Sequence, residues 1–394
     1  MSCDGRMKPD YKDRDCITYD DINEVMQEAK AKIGDLPAAN FELSSVYPEP
    51  EHLAVAAEIL LEATRCLAQR FSLGKGALLH ALPAVDMTRV ASDMCPSLLR
   101  PDVKCEMSRY RTLTGMCNNL EHPSWGSARS VFARYLPPDY SDGINEPRNA
   151  RDGSDLPNPR VVSFMTHHDM SVRDQRHNIL LVFWGQMIDH DMTLAAGTLD
   201  TERNDIECCK YAPADQHPNC MNIPVPSDDP FYKFYNRRCL DFARIWPGPK
   251  EGCPLGPRSQ INTVSSFLDA NFVYGSNQEV ATRLREFRGG DERVNEQLML
   301  TVMHTLWMRQ HNNIAGELAR INPAWSDETL YQETRHIVAA LVQHLTYNEW
   351  LAPVIGWAAM RRYDLQPLTT VHSIGFFPRD LFCFSSKPCL GSSL

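Results

Sequence analysis

One short segment, residues 184–191, concentrates side chains that can carry acid–base or metal chemistry. Gln186 and His190 are one helical turn apart and Asp189 lies beside them, so one helix face would present an amide, an imidazole and a carboxylate. Asp191 would point about 100° further round the same helix. The residues before Gln186 are apolar, which predicts a buried helix. Because burying three unpartnered polar groups costs several kcal/mol, we expect other polar groups to meet them.

Two interpretations of this helix are open from its residues alone. The first is a core network in which the polar groups satisfy one another. The second is a metal-dependent phosphohydrolase, because His167, His168, Asp169 and His177 supply further histidine and carboxylate ligands.

Two other segments could contribute to the same site. Arg293 and Glu296 are one helical turn apart, directly before an apolar helical pattern at 298–314, which on its own is typical of a capped helix start. The segment 265–271 offers closely spaced oxygen atoms that could surround a hard cation such as calcium, although on its own it is typical of a polar loop. These oxygens belong to Ser265, the Phe267 carbonyl, Asp269 and Asn271.

The composition excludes several classes of protein. The 394 residues are 43% hydrophobic and 23% charged, which is typical of a globular protein. The formal net charge of −10 argues against a nucleic-acid partner, because phosphates require a basic surface. No apolar run reaches the roughly 20 residues that a membrane span needs. The first twenty residues, rich in Asp, Lys and Arg, do not have the pattern of a signal peptide.

Thirteen cysteines nevertheless favour disulfides and an oxidising compartment. Zinc is the alternative, but no CxxC pair is present. The odd count leaves at least one thiol unpaired, and Cys66, inside an apolar helical pattern, is the candidate. The closely spaced cysteines are Cys105 and Cys117, Cys208 and Cys209 with Cys220, Cys239 and Cys253, and Cys383 and Cys389.

The apolar periodicity predicts a mainly α fold with long irregular connections. Residues 1 to about 50 are polar and weakly patterned, and 95–153 and 197–260 resemble ordered loops. The predicted helices cover 53–71, 178–192, 276–287, 298–321 and 327–350.

Seven sequence motifs, in this order, resemble the successive signatures of the animal haem peroxidases. They make the phosphohydrolase interpretation unnecessary. The motifs are YRTLTGMCNN (110–119), HPSWG (122–126), LPNPRVVS (156–163), WGQMIDHDMT (184–193), SFLDANFVYGSNQEVATRLR (266–285), GDERVNEQ (290–297) and HTLWMRQHNNIA (304–315).

The resemblance implies a role for each candidate residue. His190 corresponds to the distal histidine, which takes a proton from hydrogen peroxide and returns it to the departing oxygen. Arg293 corresponds to the distal arginine, which stabilises the charge that develops as the O–O bond breaks. Gln186 corresponds to the residue that holds the distal water or halide. Asp189 and Glu296 correspond to the carboxylates that form ester links to haem b.

The resemblance also implies a bound calcium ion. Such an ion would tie the loop 265–271 to the helix that carries His190 and hold that histidine in register. The implied ligands are Asp191, Ser265, the Phe267 carbonyl, Asp269 and Asn271.

The motifs divide the chain into three parts. Residues 95–368 are expected to form a partial haem peroxidase domain, residues 1–94 an N-terminal extension with an amphipathic helix, and residues 369–394 an unrelated tail. The connection before Asp291 is shorter than is usual in the family, and no FRFGH-like stretch with a proximal histidine is found. His336, His344 and His372 are the late histidines, and none matches an iron ligand.

The expected function is therefore hydrogen-peroxide-dependent oxidation of a small reducing substrate, such as a halide, a phenol or tyrosine, in the extracellular space. The alternative is a non-catalytic secreted scaffold or adhesion module that keeps the calcium site and lacks the proximal haem ligand.

Overall fold

A computed structural model describes residues 17–34, 50–90, 104–106, 108–199, 204–285 and 291–367. The fold is mainly α, as predicted. The described residues fall into two compact units. The first contains residues between 17 and 90, 131–173 and 195–261, and the second contains 104–130, 174–194 and 262–367. No helix in these ranges is long and apolar enough to cross a lipid bilayer.

The first unit contains three helices: α1 (Tyr19–Ile33), α2 (Pro50–Arg70) and α3 (Pro159–Thr166). Helix α2 confirms the predicted amphipathic helix. Helix α1 was not predicted, yet Ile22, Val25, Met26 and Ala29 give it a buried face at helical spacing, and it packs against α2. Its start is fixed by a capping box in which Thr18 and Asp21 bond each other's backbone amides.

Disulfides hold the long loops of the first unit. Strands β2 (Ile223–Pro224) and β3 (Cys239–Leu240) pair antiparallel, and strands β1 (Ser130–Val131) and β4 (Ile261–Asn262) are equally short. Cys208 bonds Cys220, as expected. The suggested pairing of Cys239 with Cys253 is wrong, because Cys239 bonds Cys209 across 30 residues. The spacing of cysteines along the chain does not indicate which of them lie close together in the folded protein.

The other cysteines complete the disulfide pattern. Cys253 is also disulfide-bonded, and Cys105 bonds Cys117 in the second unit, as expected. Cys66 has a free thiol, which confirms its prediction. Cys383 and Cys389 lie outside the described residues.

A buried ion pair also organises the first unit. Asp229 is fully buried, and its carboxylate accepts two hydrogen bonds from Arg160, at 2.6 and 3.0 Å. Its Oδ1 also accepts the backbone amides of Phe231 and Tyr232. The guanidinium holds the pKa of Asp229 well below its ordinary value.

The second unit contains the remaining helices. They confirm the predicted ones at 178–192, 276–287 and 298–321 to within two residues over the described positions. The α-helix predicted for 327–350 ends at Leu345, and Thr346–Trp350 form a turn of π-helix that follows it directly. The helices are α4 (Leu180–Met192), α5 (Asn271–Tyr274), α6 (Gln278–Arg285), α7 (Leu298–Ile321), α8 (Asp327–Leu345), α9 (Leu351–Ile355) and α10 (Trp357–Arg362).

The core of the second unit lies where α4, α5, α7 and α8 meet. Met187, Phe272, Leu300, Trp307 and Val338 form its buried centre. The prediction that α4 is buried on most sides is wrong at its first turns, where the Val182 side chain is 60% exposed. The fully buried residues Met187, His190 and Asp191 lie in the second half of the helix, which packs on α5 and α7.

A close approach on another side of α4 fixes its position in the same unit. A Cβ atom on Gly185 would lie 3.0 Å from Cζ2 of Trp350. The Trp350 indole donates to the Leu181 carbonyl at 2.7 Å, and the Trp184 indole donates to the Thr346 hydroxyl at 3.2 Å. Helix α4 therefore packs tightly on the 346–350 turn, and its orientation is set independently of its polar side chains.

Candidate active site

The end of α4 meets a 3₁₀ turn formed by Glu292–Asn295. Asp291 caps this turn by accepting the Arg293 amide at 2.8 Å. The Arg293 guanidinium binds the same carboxylate through Nε (2.9 Å) and Nη2 (2.6 Å). It also donates to the carbonyls of Thr193 (2.8 Å) and His190 (3.0 Å). Arg293 thus satisfies carbonyl groups that the end of a helix leaves unpaired, and the two segments are locked together.

The His190 imidazole lies beneath this junction and is 1% exposed. Its Nε2 lies 3.7 Å from Oε2 of Glu296, and its Nδ1 lies 3.9 Å from Oδ1 of Asp291. Nδ1 has no hydrogen-bond partner among the described residues. Burial, and then the charge of Arg293, lower the pKa of His190 below its ordinary value. The imidazole is therefore neutral near pH 7, which is the form that accepts a proton.

Amides and carboxylates surround the open side of the site. Gln186 donates to Oε2 of Glu296 at 3.2 Å, and Gln297 donates to Oε1 of Gln186 at 3.1 Å. The Glu296 and Asp189 side chains are 56% and 60% exposed, and Asp189 lies 3.9 Å from Arg293. The site thus has a buried base and a fixed cation, with two accessible carboxylates at its edge.

The predicted residues Gln186, Asp189, His190, Arg293 and Glu296 therefore come together. The short connection before Asp291 does not prevent Arg293 and Glu296 from reaching α4.

A second buried imidazole lies behind the first. The ring of His304, on α7, is centred 5.8 Å from the ring of His190 and meets the Phe272 ring edge-on at 5.5 Å. His304 is 1% exposed, and burial lowers its pKa.

The sequence had singled out neither Asp291 nor His304 as functional. Their signals were present: Asp291 stands two residues before Arg293, and His304 interrupts an apolar helical pattern.

The proposed cation ligands form a separate, fully buried cluster. Ser265 donates to Oδ2 of Asp269 at 2.8 Å, and Asp191 accepts the Ala270 amide at 3.1 Å. The Asn271 amide nitrogen points into the cluster, where it contacts the Asp191 carbonyl and lies 3.2 Å from Oδ1 of Asp269. Asp191, Ser265, Asp269 and Asn271 are thus brought together as the loop spacing predicts.

Phe267 lies in the same loop as these ligands, and its ring carries the guanidinium of Arg111 at 5.6 Å. The carbonyl of Phe267 is the group that the sequence had named as a ligand.

Burial disfavours the charged form of both carboxylates in this cluster. Burial, and then the neighbouring Asp269, raise the pKa of Asp191 well above its ordinary value. Burial also raises the pKa of Asp269, although the charges of Arg335 and Arg111 oppose it. No group of three or more His, Cys, Asp or Glu side chains that could hold a metal ion occurs in the described ranges. A cation here would therefore need hydroxyl, amide and carbonyl oxygens besides the two carboxylates.

The family model for animal haem peroxidases matches residues 110–291 and 286–379. The chain belongs to this family. It is 38% identical to a chorion peroxidase of Aedes aegypti over 309 residues, which is 67% of this chain and 39% of that protein. It is 33% identical to a lactoperoxidase of Mesocricetus auratus over 329 residues, which is 69% of this chain and 46% of that protein. The chain thus spans less than half the length of these relatives.

Solved structures support the helical peroxidase fold. Peroxidase A from Dictyostelium discoideum matches with a TM-score of 0.50 and 22% identity, covering 62% of this chain and 53% of that chain. A fatty acid alpha-dioxygenase from Oryza sativa matches with a TM-score of 0.52 and 16% identity, covering 86% and 51%. At these identities the likeness concerns the fold alone.

Proposed function

We propose that the chain provides the distal side of a haem peroxidase site, which oxidises a small halide, phenolic or tyrosine substrate with hydrogen peroxide. One observation carries the proposal: the buried, neutral His190 lies against the fixed Arg293, and two carboxylates line the open edge beside them. The disulfides are compatible with secretion to the extracellular space. The division of the chain into an N-terminal extension (1–94), a partial peroxidase domain (95–368) and an unrelated tail (369–394) remains part of this proposal.

The donor set fits haem b. The exposed carboxylate of Glu296 lies beside Nε2 of His190 and that of Asp189 lies near Arg293, and both would hold haem methyl groups by ester links. Haem, when bound, supplies the redox-active iron on which peroxide reduction depends.

His190 would move one proton within the bound peroxide. Its Nε2 would accept a proton from one oxygen of hydrogen peroxide and hold it for transfer to the other oxygen. Of the five N–H donors on Arg293, four are committed to Asp291, Thr193 and His190. The positive charge is therefore fixed in place before the reaction, and needs no reorganisation as negative charge develops.

Gln186 would orient a water molecule or the substrate that enters the site. Its hydrogen bond to Glu296 places the Gln186 amide near Nε2 of His190. Removal of a preorganised donor from such a site typically costs about 10²–10³ in rate.

Calcium is the second proposed ligand, held by Asp191, Ser265, the Phe267 carbonyl, Asp269 and Asn271. The buried carboxylates with raised pKa values support it. Rotating the Asn271 amide by half a turn would exchange its nitrogen for its oxygen and complete the set of oxygen ligands. The ion would join the loop 265–271 to the residue next to His190.

A hemin titration tests the haem proposal. The full chain with calcium should give a sharp Soret band with a single end point, and peroxide should change that spectrum. Arg293→Gln should slow the change about 10²-fold, whereas His168→Ala, at an exposed histidine in the first unit, should behave as wild type. A broad spectrum of free hemin, unaffected by protein, would contradict the proposal.

The second candidate function is a calcium-stabilised secreted scaffold without catalysis. The calcium cluster favours it, because its side chains are bonded to one another and do not depend on the open edge of the site. This candidate predicts calcium-dependent stability together with the spectrum of free hemin.

A further inference from the structure

A short 3₁₀ turn in the first unit, Tyr232–Tyr235, carries aromatic rings that face solvent. Phe231, Phe234 and Tyr235 are 54, 76 and 68% exposed. The ring centres of Phe231 and Tyr235 are 5.1 Å apart. The Phe234 amide donates to the Phe231 carbonyl, so these two residues lie one turn of 3₁₀ helix apart on the same side. The three exposed rings therefore form one cluster.

The backbone of this turn is fixed from below by the buried ion pair of Arg160 and Asp229. Oδ1 of Asp229 accepts the amides of Phe231 and Tyr232 at 2.9 and 2.8 Å. The Tyr232 ring lies against the Arg160 guanidinium at 5.0 Å and is the ring that faces inward. The turn ends at Asn236, which has a left-handed φ of 49° and an amide that donates back into the turn. A local rearrangement that buried the three outer rings would break these bonds.

Basic side chains surround the exposed rings. Lys233, Arg237 and Arg238 are the charged residues between positions 230 and 240. The exposed acids on either side are Asp228 and Asp241, and Asp241 lies 3.6 Å from Arg237. Lys233 lies over the ring of the next residue, and Arg238 donates to a backbone carbonyl. Within the described part of the chain, neither of these two cations has a carboxylate partner. The turn is therefore locally basic, although the whole chain carries a formal charge of −10.

The size and chemistry of the turn favour a lipid surface over a protein partner. An aromatic side chain has about 150–250 Å² of surface, so the exposed parts of the three rings amount to roughly 400 Å². A stable protein interface takes roughly 800 Å² from each partner. A bilayer needs no surface of matching shape. Aromatic rings beside long basic side chains are suited to the boundary between lipid headgroups and acyl chains.

We propose that residues 231–238 form a peripheral binding site for bilayers that contain anionic lipids. The three exposed rings insert between the headgroups, and the three basic side chains contact the negative groups of the lipids. The pairing of β2 with β3 holds the chain directly after the turn. The site lies in the first unit and is separate from the candidate active site, so it does not depend on the proposed peroxidase function.

Flotation of the full chain with lipid vesicles tests the proposal. The wild type should float with phosphatidylcholine vesicles that contain phosphatidylserine. The double variant Phe231→Ser/Phe234→Ser should bind at least about tenfold more weakly, because binding scales with the apolar area that enters the bilayer. Lys233→Gln should bind about fivefold more weakly, the usual effect of one basic side chain at an anionic surface. Vesicles without phosphatidylserine should not distinguish Lys233→Gln from the wild type.

Two control variants separate this turn from general stickiness. Tyr135→Ser/Leu136→Ser removes two strongly exposed apolar side chains elsewhere in the same unit and should bind as the wild type does. Phe234→Trp keeps an aromatic ring and should also retain binding. Because all of these side chains are exposed, the variants should keep the urea midpoint of the wild type.

A wild type that does not float with phosphatidylserine vesicles would overturn the proposal. An equal loss of binding in the two double variants would overturn it as well. Sedimentation velocity tests a protein partner: a dimer that Phe231→Ser/Phe234→Ser abolishes, without vesicle binding, would instead assign the turn to a contact between two copies. Soluble glycerophosphoserine should not compete with vesicles, and full competition would refute the insertion of the rings. The vesicle assay needs no haem, so its outcome is independent of the hemin titration.

Discussion

Asp191→Asn should change the stability of the protein in opposite directions with and without calcium. The asparagine keeps one oxygen that can accept the Ala270 amide. It loses the longer bond from the Phe272 amide, at 3.3 Å, and it removes a negative charge from beside Asp269. Burial and that neighbour raise the pKa of Asp191. A carboxyl group whose folded pKa exceeds its unfolded value weakens the native state as the pH rises above the unfolded value. In chelator near neutral pH, the variant should therefore be at least as stable as the wild type.

With calcium the order should reverse. A site with a Kd of about 1 µM lies in the ordinary range of protein calcium sites and contributes ~4 kcal/mol at about 1 mM calcium. Loss of a carboxylate ligand should remove most of this. At about 2–4 °C per kcal/mol, the unfolding temperature of the variant should fall by roughly 8–16 °C relative to wild type.

Differential scanning calorimetry of the full chain in calcium and in chelator measures both effects. Asp229→Asn is the matched control, because Asp229 is equally buried but is bonded to Arg160 in the first unit. The unfolding temperature of Asp229→Asn should fall by the same amount with calcium and with chelator. If Asp191→Asn were destabilised equally with calcium and with chelator, the loss would come from packing, and the reasoning about a cation would be refuted.

Three further outcomes follow from contacts described above. Asp291→Ala should lower the free energy of unfolding by about 2–4 kcal/mol in urea, because it leaves the partly buried Arg293 with only the more distant, exposed carboxylate of Asp189. Asp291→Asn should lose less, and an equal loss in both would count against the pairing. Replacing Cys209 and Cys239 by serine should cost about 2–4 kcal/mol, and an unchanged urea midpoint would contradict this. Because the pKa of Asp229 is lower in the folded than in the unfolded protein, its carboxylate stabilises the fold above the unfolded-state pKa of about 4. As the pH falls below that value, the wild type should lose stability faster than Asp229→Asn. Parallel acid-unfolding curves for the two proteins would contradict this.

Helical periodicity was enough to predict the relative position of the site residues on α4, whereas Arg293 and Glu296 were assigned to the site by the family resemblance. The one-turn spacing of Gln186 and His190 placed both on one face of α4, and the structure keeps that arrangement. The same rule could have found α1, whose apolar residues Ile22, Val25 and Met26 are helically spaced. It was missed because the rest of that helix is strongly polar, so the segment resembles an unstructured extension.

Other features depend on distances in space that the sequence does not encode. The bond between Cys209 and Cys239 closes a long loop, and many pairings were compatible with the spacing. Asp291 resembled a solvated charge until the structure showed its carboxylate buried under Arg293. His304 became informative only when its ring was found beside another unpartnered imidazole.

The contact between Gly185 and Trp350 bears on how relatives of this chain can diverge. The two positions are 165 residues apart in sequence, yet a Cβ atom at 185 would lie only 3.0 Å from the indole. A larger residue at 185 requires Trp350 to shift or to be replaced by a smaller residue, so we expect the two positions to co-vary among homologues. Gly185 lies about 140° round the helix from His190. Gly185 in the WGQ stretch is thus required for helix packing, and we expect it to persist in a homologue that has lost the catalytic residues.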